Sequence, residues 1–122
     1  MSLKTVFLLS AVVSGFFALV SLLIPVTMLS WYGPIYTDTL VMMTRYFGVG
    51  LLAIAFVSFF LKDAELTKEV KSVVLALIIS DIVGFVVSLW ATTTNILNNF
   101  GWLNVIIYGF FTIALYSVYK KK

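Results

Sequence analysis

Between Lys4 and Asp38 the chain carries no charged residue, and residues 5–24 are apolar or small throughout. At about 1.5 Å of rise per residue, a helix over that run is long enough to cross a hydrocarbon core about 30 Å thick. Three further runs of the same kind follow, at residues 40–61, 70–91 and 101–119. Arg45 falls well inside the second of them and Asp81 well inside the third. Pro25 disfavours helical geometry at Ile24, so the first run should end there. A cleaved signal peptide is the rival reading of that run, with Lys4 as a short basic leader. The run exceeds the usual h-region of about 7–15 residues and lacks a small-x-small cleavage site, which favours a retained span.

Composition removes the soluble alternative. A soluble four-helix protein needs a polar face on every helix, and eight basic plus five acidic side chains among 122 residues cannot supply four such faces. The expected fold is all-α: an integral membrane four-helix bundle in which residues 1–122 form a single transmembrane domain. The links are residues 25–39, with a Gly33-Pro34 turn signal, the hydrophilic 62–69 stretch KDAELTKE, and the polar but uncharged 92–100 stretch TTTNILNNF.

Orientation follows from the basic residues that flank the spans. With four spans, the N-terminus, the 62–69 loop and the C-terminus share a side, which holds Lys4, Lys62, Lys68, Lys71, Lys120, Lys121 and Lys122. The other side holds no basic residue outside the spans. The expectation is a multi-pass protein of the cell (plasma) membrane with both termini cytoplasmic, N-in and C-in. Trp31, Trp90 and Trp102, with Tyr32 and Tyr36, fall at the outer boundary as an interfacial belt would, and Tyr116 and Tyr119 mark the inner one.

The chain has no cysteine and no histidine. That removes thiol chemistry, the commonest transition-metal ligand and the usual general base. No carboxylate pair stands at catalytic spacing, no nucleophile sits beside a base, and no Gly-rich phosphate loop or metal-ligand cluster is present. No catalytic residue, metal site or cofactor is therefore expected, the chain reads as non-enzymatic, and nothing calls for a nucleic-acid partner.

Helices in lipid associate through close backbone approach and buried polar contacts, because lipid tails are as apolar as leucine. Ala76, Ser80, Gly84 and Ser88 recur every four residues in the third span, Ser10, Ser14 and Ala18 do so in the first, and Gly48 opens the small-residue set of the second. These stripes are expected to be helix-packing seams within the bundle, or an interface between copies.

An ionisable group inside the bilayer costs roughly 2.5–3.5 kcal/mol on insertion scales and persists where it is paired, wet or functional. By the helical rise, Arg45 lies about 8 Å and Asp81 about 15 Å from the outer ends of their spans. The difference is within reach of an arginine side chain. Arg45 either pairs with Asp81 or snorkels to the outer headgroups. Asp81 either joins a structural ion pair or hydrogen bond, or takes a ligand or proton. Asn104, Tyr108 and Thr112 share a face of the fourth span, with Asn99 above and Trp102 nearby. The candidate site is thus an outer polar pocket or ion pair built from Arg45, Asp81, Asn99, Trp102, Asn104 and Tyr108, roofed by the aromatic 25–39 segment.

Several local patterns carry a resemblance to a known group. They are Pro25 followed by Trp31-Tyr32-Gly33, then Arg45-Tyr46-Phe47-Gly48, the mid-helix Asp81, and Asn99-Phe100-Gly101-Trp102-Leu103-Asn104 with Tyr108. Together with the size and span count, these resemble the small four-helix membrane proteins of the DoxX-like neighbourhood and related families of unknown function. Some proteins of that neighbourhood are subunits of quinone-linked oxidoreductases and others have no assigned role, so the resemblance permits an accessory subunit near a quinone and identifies no catalytic residue. Small multidrug transporters share the size, but their essential membrane glutamate lies in the first helix, where this chain has no acid. The leading expectation is an accessory or assembly subunit, or an oligomeric scaffold. Its alternative is a binder or transporter of a small amphipathic or ionic substrate (a lipid, a quinone-like molecule or an ion). The partners expected are the lipid bilayer, a second copy or larger membrane complex, and a lipid or quinone-like ligand.

Overall fold

The computed structural model describes residues 1–33 and 36–121, so Pro34 of the expected turn lies outside the described residues. Five helices follow one another: α1 (Leu3–Leu23), α2 (Pro25–Tyr32), α3 (Asp38–Leu61), α4 (Lys68–Thr93) and α5 (Gly101–Tyr119). Among the described residues there is no strand. Four of the helices, all but α2, are long and apolar enough to cross a membrane, which makes this a multi-pass membrane protein. Phe60 and Ile113 are each 73% exposed, a condition that lipid tolerates and water does not.

Three helices begin before their apolar runs because a hydroxyl caps them. Ser2, Thr37 and Thr67 accept from the backbone N–H groups of Thr5, Leu40 and Val70, filling donors that the first helical turn leaves open. Thus α4 starts at Lys68, inside the stretch expected to be loop. Its other end closes through Asn95, which takes the left-handed conformation (φ 63°) that asparagine tolerates. The Ile96 N–H then donates back to the Ala91 carbonyl at 2.9 Å.

The long helices pack as two pairs, α1 with α3 and α4 with α5, joined chiefly where α1 meets α5. The α1–α3 seam is tight: a β-carbon on Gly48 would stand 2.9 Å from Ser21 Cβ, and the Ser10 and Ser58 hydroxyls share a hydrogen bond of 3.0 Å. In the α4–α5 seam the Tyr108 ring lies over Gly84 and the Phe85 ring against Gly109. Val6 and Phe7 of α1 join Val74, Ile78, Phe111, Ala114, Leu115 and Val118 in a closed apolar core at one end. That end also gathers the lysines. Lys4 and Lys62 pair with Asp63 at 3.4 and 2.8 Å, and Lys121 donates to the Met1 carbonyl at 2.7 Å. The hydrogen bond from Lys62 is the main reason the Asp63 carboxyl titrates below its ordinary 3.8. Both termini and the α3–α4 loop therefore share one end of the molecule, and α2 lies at the other.

Candidate functional site

Above the closed core the two helix pairs diverge and leave a cavity of about 500 Å³. Leu77, Phe111 and Leu115 form its floor, continuous with the core below. Ser10, Val13, Ser14 and Phe17 line it from α1, and Phe47, Gly50, Leu51 and Ile54 from α3. From the second pair come Ser80 and Asp81 of α4, with Asn104, Ile107 and Tyr108 of α5. No packed seam forms between α3 and α4, so no helix–helix packing closes that flank of the cavity.

The roof is α2, an element that a loop reading of residues 25–39 does not contain. Pro25 presets its first turn and, by constraining Ile24, breaks it from α1 (φ −134°, ψ 57° at Ile24). Met28, Leu29 and Tyr32 then share the face that looks into the cavity. Three contacts of Tyr32 hold the roof down. Its hydroxyl donates to Asn104 Oδ1 at 2.8 Å, its carbonyl accepts from the Asn98 N–H at 3.0 Å, and its ring meets Phe100 edge-on at 5.0 Å between centroids. Burial pushes the Tyr32 phenol above its ordinary 10.0, against the opposing pull of that hydrogen bond.

The candidate residues divide. Asp81, Asn104 and Tyr108 share the cavity wall. Arg45, Asn99 and Trp102 are exposed and outside it. At about 100° per residue, Arg45 falls on roughly the opposite side of α3 from Phe47, Gly50 and Ile54. Among the described residues Arg45 makes no ion pair, and neither does Asp81; the pairing that the reach of an arginine would allow is lost to facing. Thr112 does not join the polar face either, because its hydroxyl donates back to the Tyr108 carbonyl at 2.7 Å.

The small-residue stripes divide as well. Ala18, Gly48, Gly84 and Ser88 are at or within helix seams, Ser10 bonds across the α1–α3 seam and lines the cavity with Ser14 and Ser80, and Ala76 is exposed. Sequence reasoning missed Tyr32 as a site residue and placed it in the interfacial belt. The available signal was a helix-starting proline followed by Met28, Leu29 and Tyr32 at helical spacing.

No protein-family model matches the chain, and no curated protein or solved structure does either. The DoxX-like resemblance therefore stands on its residues alone. Chemically, the wall offers one carboxylate, the Tyr108 hydroxyl, the Asn104 amide and three serine hydroxyls, set in a surface that is otherwise hydrocarbon and aromatic rings. Such a composition suits a molecule with a large apolar body and one polar or charged point.

Proposed function

We propose that this chain is a non-enzymatic protein of the plasma membrane, a four-helix bundle with both termini cytoplasmic, that binds a small amphipathic molecule in the cavity beneath α2. The observation that carries the reading is an intramembrane carboxylate, Asp81, on the wall of a cavity of about 500 Å³ with no ion-pair partner among the described residues. A carboxylate kept only for structure would be paired, since an unpaired one opposes insertion. The volume lies in the range of small-molecule sites, about 300–1,000 Å³. The open α3–α4 flank gives a ligand dissolved in the bilayer a lateral route in. A lipid-derived molecule, a quinone-like ring and an organic ion all meet these terms.

Gly50 supplies the test, because it borders the cavity and a β-carbon there would meet nothing within 4 Å. Native mass spectrometry of protein released from nanodiscs should find a small-molecule adduct on the wild type and none on Gly50→Trp of equal helix content. Bare protein in both samples would overturn the reading.

A second reading, an accessory or assembly subunit or an oligomeric scaffold, is favoured by a different feature. Leu8, Val12 and Leu19 of α1 with Phe56 and Phe59 of α3 form an apolar groove on the far side of the first pair, which on this reading a neighbouring helix fills. On that reading Gly50→Trp changes nothing, and bulky groove substitutions release the neighbour.

A further inference from the structure

Among the described residues, the cavity wall carries one acidic side chain and no basic one. Asp81 supplies the acid from α4. Every other element that reaches the cavity faces it with neutral groups: Tyr108 and Asn104 from α5, serine hydroxyls and apolar groups from α1, and only apolar groups from α3. Tyr32 of α2 spends its hydroxyl on Asn104. Arg45, the one basic residue well inside a span, faces away on α3. The protein thus provides no counter-charge, and the occupant must bring it.

Three classes of occupant then separate. An anion would find no basic side chain on the wall. A metal cation would have to exchange its hydration shell for roughly six oxygen ligands, and the wall offers one carboxylate among scattered neutral oxygens. An organic cation with apolar substituents sheds little hydration and finds hydrocarbon for its body. It also finds rings for its charge, because Phe17, Phe47, Tyr108 and Phe111 all border the space and aromatic faces attract cations. Resting on the cavity-binding reading above, we infer that the occupant is a lipophilic organic cation of the quaternary ammonium or phosphonium type, with Asp81 as its counter-charge and the aromatic wall as its second contact.

The test uses probes matched in size and opposite in sign. Full-length protein in zwitterionic nanodiscs is titrated with tetraphenylphosphonium, tetraphenylborate and uncharged decylubiquinone, and binding to empty nanodiscs is subtracted. The wild type should bind tetraphenylphosphonium saturably and tetraphenylborate not at all. Asp81→Asn should weaken the cation by more than about tenfold, as removal of one partner of a desolvated charge pair does, and Asp81→Glu should restore most of the loss. Undiminished cation binding by a folded Asp81→Asn variant overturns the inference, as does equal binding of the two ions. Decylubiquinone binding that Gly50→Trp abolishes, without saturable cation binding, overturns the inference while leaving the cavity reading intact. Failure of all three probes, with no adduct in the mass spectrum, overturns both.

Discussion

A β-carbon at Gly48 would lie 2.9 Å from Ser21 Cβ, 3.0 Å from Leu22 Cγ and 3.2 Å from the Ala18 carbonyl, whereas at Gly50 it would meet nothing within 4 Å. The two glycines stand two residues apart on one helix and serve opposite ends. Gly48 lets α1 and α3 touch backbone to backbone, the contact that substitutes for hydrophobic drive in lipid. Gly50 keeps wall space open. Replacing an interior helical glycine by alanine gains about 1 kcal/mol of helix propensity where nothing intrudes. Overpacking a tight seam costs roughly 1–3 kcal/mol. Gly50→Ala should therefore raise the thermal midpoint in detergent, and Gly48→Ala should lower it. Shifts of the same sign in both variants would contradict this division. Gly84 belongs with Gly48, since a β-carbon there would stand 2.5 Å from Tyr108 Cε1 and drive that ring from its seat beside Asp81.

At the scale of the element, α2 is held by one residue more than by its own length. Eight residues are too few to be a stable helix alone, so α2 exists because it is docked, and Tyr32 makes both the hydroxyl bond to Asn104 and the ring contact with Phe100. Removing that hydroxyl leaves the Asn104 acceptor without its donor, at a cost of about 1 kcal/mol or somewhat more. Tyr32→Phe should speed hydrogen exchange of the α2 amides severalfold while the α1 and α5 amides keep their protection. Unchanged α2 protection would show that the roof is held by its apolar face instead. A docked helix of this kind was hard to see in the sequence because its polar groups, Thr27 and Ser30, read as loop chemistry, and Ser30 is in fact spent on the Thr27 carbonyl at 2.6 Å. The α4 stripe is divided for a geometric reason. A four-residue step turns about 400° at 3.6 residues per turn, so each step drifts about 40°. From Ala76 to Ser88 the drift reaches about 120°, enough to carry one stripe from an exposed face, past the cavity, into the α5 seam.

For the whole molecule, the four long helices were legible because apolar runs about 20 residues long admit few other structures. What faces what was not legible. α3 is apolar nearly all round, so its sequence carries no signal that turns Arg45 away from Asp81; only the seam through Thr44, Gly48, Ala55 and Ser58 fixes the rotation. The end-to-end asymmetry was legible, because it is written in lysine positions. Lys4, Lys62 and Lys121 meet at one end, and the orientation proposed above puts that end in the cytoplasm. Basic residues set topology while acids contribute little, so Asp63, although it pairs with both Lys4 and Lys62, should not cancel them. The chain has no cysteine of its own, so Glu65→Cys and Asn99→Cys each report a single thiol. In intact cells a membrane-impermeant maleimide should label Asn99→Cys and leave Glu65→Cys unlabelled until the membrane is opened. Adding Asp63→Asn should leave that pattern unchanged, whereas replacing Lys62, Lys68 and Lys71 by glutamine and placing lysines at Thr93 and Thr94 should make it mixed or reversed. Labelling of Glu65→Cys in intact cells would overturn the orientation. A pattern that follows Asp63 would instead show that the net charge of the loop, not its lysines, orients the chain.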